Sequence, residues 1–262
     1  MRVKSDDAEI YYDVMGSGPA VVLLHAFPTN HNLWKPVAEV LATRYRVVLP
    51  DLRGHGQSGT GEGPAIMARH VADLRRVLDD AGVDRAIFAG VSIGGYVLFE
   101  VWRSMRERIV RLLLCNTKAQ ADTPEARAGR LKASDDVLRH GADRFLDGMI
   151  PKVLGATTCT NRPDLVAQVR EMMATATVRG IAAVQRGMAE RPDSSNTLKT
   201  ISVPTMVLAG EEDVATPRAD AEFMCSHIPN SRLTVLPRCG HLAVFEQAAE
   251  AAREIRKFLD EN

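Results

Sequence analysis

No excess of charge of either sign, no long apolar run and no cysteine pattern marks this chain of 262 residues. Lysine plus arginine and aspartate plus glutamate number 33 each, which removes the electrostatic footprint of a nucleic-acid or anionic-membrane partner. No apolar stretch approaches the ~20 residues of a membrane span. The start, Met1-Arg2-Val3-Lys4-Ser5-Asp6-Asp7, lacks the apolar centre of a secretory signal. These absences lead to the expectation of a cytoplasmic protein whose partner is a small molecule, not nucleic acid and not a membrane. Cys115, Cys159, Cys225 and Cys239 show neither C-x-x-C spacing nor the density of a disulfide scaffold, and read as reduced thiols. Cys239 stands two residues before His241, too close along an extended loop for thiol and imidazole to face each other, so a cysteine nucleophile is disfavoured.

What is present is an alternation. Short apolar, β-branched runs at 8–14, 20–27, 46–50, 86–91, 110–116, 205–209 and 233–236 are separated by longer amphipathic segments, the pattern of a mostly parallel sheet covered by helices on both faces. Met67, Val71, Leu74 and Leu78 form one buried helical stripe that ends at Gly82, and Phe245, Ala248, Ala252, Ile255 and Leu259 form another near the end of the chain. Between 118 and 199 the strand-like runs stop and helical spacing takes over. The expected organisation is therefore an α/β core of residues 1–117 and 200–262, with residues 118–199 inserted as a helical cap. Of the methionines in that cap, Met149, Met173 and Met188 are candidates for an adaptable apolar pocket, although packing within the cap is the favoured reading of any single methionine.

The chemistry centres on Gly90-Val91-Ser92-Ile93-Gly94-Gly95. An apolar strand precedes it and a helical stretch, Tyr96 to Trp102, follows it, so G-x-S-x-G here reads as a strand-to-helix turn that lifts the serine hydroxyl clear of the sheet edge. The N–H of Ile93, at the helix start, faces any negative charge that forms beside Ser92. The plainer alternative is a glycine-rich turn with a capping serine. A serine hydroxyl needs a base to take its proton, and seven histidines are available. His241 occupies the loop after the last strand, at the carboxyl edge where sheet sites gather, with His25 and His55 as alternatives in other loops of that edge. His70, inside a helix, His140, in the cap, and His227, at a helix end, suit solvated or capping roles. Glu211-Glu212-Asp213, directly after the strand 205–209, supplies three candidates for an acid that orients the histidine.

In these motifs the chain resembles the α/β-hydrolase family along its whole length. His25-Ala26-Phe27-Pro28 looks like the family's H-G-x-P loop, Asp51 to Ser58 like its D-x-R-G-x-G-x-S loop, Gly90 to Gly95 like its nucleophile elbow, Gly210 to Asp213 like its G-x-x-D acid loop, and Gly240-His241 like its terminal histidine motif. The resemblance implies Ser92 as nucleophile, Asp213 rather than its neighbours as acid, His241 as base, and the N–H groups of Phe27 and Ile93 as the oxyanion hole. It implies no metal and no organic cofactor. Ala26 departs from the family's usual glycine. The length, cap and Ser-Ile-Gly-Gly elbow are most similar to enol-lactonases, small carboxylesterases and non-haem haloperoxidases, so the expected substrate is a small ester or lactone. A C–C bond hydrolase, a perhydrolase and a slow-turnover ligand receptor share the fold and stay open. Among the arginines of the cap, one or two are candidates for holding a substrate carboxylate.

Overall fold

The computed structural model describes residues 1–260. Its strands are β1 (Arg2–Ser5), β2 (Ala8–Met15), β3 (Ala20–Leu24), β4 (Arg46–Pro50), β5 (Ala86–Val91), β6 (Ile109–Cys115), β7 (Thr205–Gly210) and β8 (Ser231–Leu236). They form one sheet of eight in the order β1-β2-β4-β3-β5-β6-β7-β8. β1 and β2 run antiparallel at one edge, and the remaining neighbours from β4 to β8 pair in parallel.

The helices before the insertion are α1 (Lys35–Leu41), α2 (Met67–Asp80) and α3 (Ile93–Met105). Between β6 and β7 run α4 (Pro124–His140), α5 (Asp143–Val153), α6 (Ala156–Asn161), α7 (Pro163–Ala174), α8 (Val178–Ala189) and α9 (Ser195–Leu198), with no strand among them. After β7 come α10 (Arg218–His227), α11 (Ala243–Glu246) and α12 (Ala248–Asp260). None of these helices is long and apolar enough to cross a membrane.

Side chains alternate across a strand, and the two apolar clusters of the core follow that alternation strand by strand. Val22, Leu24, Phe88, Leu112, Leu114 and Val207 face one cluster with the inner sides of α2, α3 and α10. Val21, Leu23, Ile87, Ala89, Leu113 and Leu208 face the other, with α1 and α12. Each such valine, leucine, isoleucine or phenylalanine contributes roughly 1.5–3 kcal/mol by leaving water. β5 and β7 are buried along their whole lengths. Loops at their carboxyl ends are consequently anchored on a rigid base.

The sequence expectations hold for seven strands to within a few residues. β1 escapes them because Arg2 and Lys4 are solvated on an edge strand with only one inward-facing side, which leaves no apolar run to read. β3 stops at Leu24, short of the expected Phe27, because its pairing with β5 ends at Leu24–Gly90, and residues 25–27 turn out of the sheet. The final helical stripe is split, since Gln247 leaves the helical region (φ −122°, ψ 49°) between α11 and α12.

Candidate active site

Ser92 is the turn between β5 and α3, and its backbone lies at φ 55°, ψ −114°, a region costly for a residue with a side chain. Two surroundings hold it there. A Cβ at Gly90 would stand 2.4 Å from the Gly94 carbonyl carbon, and one at Gly94 would stand 2.6 Å from the Leu24 oxygen, so only glycine allows the turn to close against β3. The Ser92 N–H donates to the carbonyls of Cys115 and Asn116, and the Thr117 hydroxyl donates to the Ser92 carbonyl. The side chain is left to open into a cavity of about 150 Å³ that His241 also lines.

His241 lies in the loop after β8, buried, with Nδ1 2.8 Å from Asp213 Oδ2. Asp213 follows β7 and gathers four further donor contacts: the N–H groups of Ala215 (2.8 Å) and Thr216 (3.0 Å), the Thr216 hydroxyl (2.7 Å) and Asn116 Nδ2 (2.9 Å). Burial alone raises this carboxyl. The charge and hydrogen bond of His241, with the bonds from Thr216 and Asn116, outweigh it and hold Asp213 down to about 2. The sheet thus brings together the serine, the histidine and one of the three acids. Glu211 receives the Arg238 N–H at its rim, and Glu212 turns to Thr157 of α6. Asn116 and Thr216 escaped the sequence reading. Each left a signal, since Asn116 ends β6 at the same carboxyl edge as Ser92 and Thr216 follows Asp213 at a side-chain-to-backbone turn spacing.

The loop beyond β3 is held from beneath. Ala26 O accepts hydrogen bonds from the Thr29 N–H (3.0 Å), the Thr29 hydroxyl (2.8 Å) and His25 Nδ1 (2.8 Å). Carbonyl and N–H point oppositely in a trans peptide, so this turns the Phe27 N–H away from the loop's interior. The alanine at 26 is accommodated with no exposed surface. The alternative histidines serve this loop: His25 also accepts the Leu52 N–H through Nε2, and burial depresses its pKa. His55, likewise buried, with its pKa pushed well below the usual imidazole range by burial, packs edge-on against the Phe27 ring at 5.7 Å. Neither is paired with a carboxylate as His241 is. His70, expected in a solvated or capping role, is instead buried in the face of α2, and burial holds it down to about 3. Cys239 is a core residue whose thiol burial pushes up to about 12, which removes it as a nucleophile.

Met149 of α5 and Met188 of α8 line the cavity, together with Phe27, Tyr96 and Val153. Met173 does not. With Leu165 and Val169 it forms the inward stripe of α7, buried in the apolar cluster beneath α12's side of the sheet, so it packs rather than faces a ligand. Lys118, Arg130, Lys152, Ala215 and Thr216 complete the wall, and no acidic residue is among the lining. Asp122 holds Arg130 at 2.5 Å and Arg191 at 2.7 Å, and the Arg191 guanidinium stacks over Tyr96. A larger cleft of about 360 Å³, lined by Asn30, Lys35, Glu39, Glu171 and Met172, includes neither Ser92 nor His241.

A family model described as alpha/beta hydrolase fold matches residues 19–248. Among curated proteins, 3-oxoadipate enol-lactonase 2 of Acinetobacter baylyi is 29% identical over 253 residues, covering 93% of this chain and 90% of that protein. A pimeloyl-[acyl-carrier protein] methyl ester esterase of Xanthomonas campestris is 27% identical over 262 residues, covering 95% and 98%. Among solved structures, a malate-bound thermophilic esterase of Thermogutta terrifontis superposes with a TM-score of 0.96 at 36% identity, covering 99% of this chain and 98% of that one. With a match across most of its length and the sheet order and loop placement above, the chain belongs to the alpha/beta hydrolase fold family.

Proposed function

We propose that the chain hydrolyses a small ester or lactone that carries an anionic group, through an acyl-enzyme on Ser92. It is a carboxylic ester hydrolase, as its esterase and enol-lactonase relatives indicate. The observation that carries the finer reading is that Ser92, His241 and three cations line one cavity, with Asp213 bonded behind the histidine.

In the proposed reaction His241 Nε2 takes the Ser92 proton as Oγ bonds to the ester carbonyl carbon. The carbonyl oxygen becomes an oxyanion, received by the N–H groups of Phe27 and Ile93. The C–O bond to the alcohol then breaks, with the proton passing from His241 to the leaving oxygen. Water, deprotonated by the same histidine, attacks the acyl-serine and releases the acid. With a lactone the leaving oxygen stays tethered to the acyl group, and one hydroxy acid is released at the second step. Asp213 stays ionised throughout, since it is held down to about 2, and fixes the tautomer with Nε2 free to accept.

A cavity of about 150 Å³ is of the size that holds a benzene ring, so the buried portion of the substrate is small. Lys118, Arg130 and Lys152 give that cavity a positive wall in a chain with no net charge, which favours a substrate with a carboxylate. We assign this selection to residues 118–199 as a cap over the core. Paired p-nitrophenyl esters test the reading: a hemisuccinate against the 4-oxopentanoate, its neutral near-isostere, each corrected for spontaneous release. The anionic ester is expected to react at least tenfold faster in kcat/KM at low salt, with the advantage shrinking as salt rises. Equal, salt-independent values would refute the anionic substrate, and absence of a p-nitrophenolate burst under conditions of slow deacylation would refute the acyl-enzyme.

A further inference from the structure

Glu246, five residues beyond His241, is buried at 5% exposure, and among the described residues no cation pairs with it. A carboxylate in that position is costly unless donors surround it. Burial raises its pKa, and the Thr158 hydroxyl of α6 together with backbone N–H groups of two separate segments works against that rise. Oε1 accepts the N–H of Gly240 (2.9 Å) and of Leu242 (3.2 Å), the residues on either side of His241. Oε2 accepts the N–H of Gly155 (2.8 Å), the N-cap residue just before α6 in the helical insertion.

The same seam is tied twice more. The Leu242 N–H also donates to Val153 O at 3.1 Å, and Glu212, next to Asp213, accepts the N–H (2.8 Å) and the hydroxyl of Thr157. The backbones meet without room for a side chain: a Cβ on Gly155 would lie 2.5 Å from Glu212 Oε2 and 2.8 Å from the Gly240 nitrogen, and one on Gly240 would lie 2.4 Å from the Gly155 nitrogen. Residues 152 and 153, just before this seam, belong to the cavity wall. A segment of about six residues therefore runs from the substrate's surroundings to the loop that carries the base.

We infer that Glu246 is a positioning residue: its carboxylate locks the His241 loop and the start of α6 to each other, so that the imidazole and the α5–α6 wall of the cavity hold one geometry. The inference rests on the reading of His241 as the base. It also narrows the division of labour between insertion and core, because part of the insertion fixes the machinery as well as selecting the substrate.

Glu246→Gln tests it with little change of shape. A glutamine offers one acceptor oxygen, so it keeps either the Gly240–Leu242 pair or Gly155, and its NH2 then faces an N–H donor. A misplacement of about 1 Å at a reacting group costs on the order of 10²-fold. The expected result, measured well below the melting temperature, is a fall of about 10²-fold in kcat and in the rate of Ser92 phosphonylation by a fluorophosphonate, with KM within threefold. In that probe reaction the serine oxygen displaces fluoride and the proton goes to His241, so the rate reads the base. A lower melting temperature with kcat and phosphonylation both within threefold of wild type would reduce Glu246 to a structural cap and overturn the inference. Should Glu246→Gln not fold, Glu246→Asp, which keeps the charge and shortens the reach by one methylene, is judged by the same criterion. Failure of the wild type to label at Ser92 would instead overturn the reading of the site.

Discussion

Replacing Asp213 by asparagine separates charge from shape at the centre of the site. Asp213 Oδ1 receives the N–H groups of Ala215 and Thr216, while Oδ2 receives His241 Nδ1, Asn116 Nδ2 and the Thr216 hydroxyl. An asparagine satisfies the two fixed backbone donors only with its oxygen at the first position, which puts its NH2 where three donors now point. The Thr216 hydroxyl can rotate to accept. The imidazole can accept only by moving its proton from Nδ1 to Nε2, and a protonated Nε2 cannot take the Ser92 proton. Turnover of an aryl ester is therefore expected to fall by about 10³ to 10⁴ with the fold retained. The carboxyl is lowered from 3.8 to about 2, so its ionisation stabilises the fold by about 2 kcal/mol, fully present above pH 3.8 and lost as pH falls towards 2. Asp213→Asn removes that term, and its thermal stability should accordingly depend less on pH between about 4 and 2 than the wild type's. Initial rates, and melting temperatures across that range, check both halves. A variant retaining more than a tenth of wild-type turnover, or a larger loss from Glu211→Gln or Glu212→Gln, would refute the assignment of the acid.

Four further outcomes are expected. Ser92→Ala should lower turnover by on the order of 10⁶ and abolish fluorophosphonate labelling; labelling at the wild-type rate would assign the nucleophile elsewhere. Substituting Lys118 and Lys152 together by methionine should lower kcat/KM for an anionic ester at least tenfold while changing that for its neutral isostere less than threefold, and an equal loss for both would remove the charge argument. Met149→Ala and Met188→Ala should shift relative kcat/KM among acyl groups by roughly ten- to two-hundredfold. Met173→Ala should instead cost roughly 2–5 kcal/mol of stability, read by denaturant titration, with acyl preference unchanged.

Much of this was legible along the chain because the signals are local. A strand buried on both faces is a short apolar run, as 86–91 is, and a turn that must pass beneath a neighbouring strand needs glycine, as Gly90 and Gly94 show. The order of strand, serine turn, acid loop and histidine loop follows from the same local patterns, and the resemblance to a known family singled out Asp213 from three adjacent acids. The contacts that join distant segments were beyond such a reading. Asn116 lies 97 residues from the carboxylate it supports, and Glu246 reaches back 91 residues to Gly155. No periodicity encodes these pairs, because they exist only once parallel strands place several loop ends at one edge.

The same limit applies to the helices between β6 and β7. Helical spacing tells that Met149, Met173 and Met188 lie on helices, yet whether a methionine faces a cavity or the core depends on how each helix is rotated against the sheet. Met149 and Met188 face the cavity; Met173 turns inward with Leu165 and Val169. Among many arginines in the insertion, Arg130 alone reaches the cavity wall, joined by Lys118 and Lys152. Sequence determined the fold class, the serine turn and the order of the serine, acid and histidine loops, since hydrophobic period and turn sterics act within a few residues. Tertiary structure decided which methionines and cations line the cavity and which carboxylate joins the insertion to the loop after β8, since those depend on distances that close only when the sheet forms.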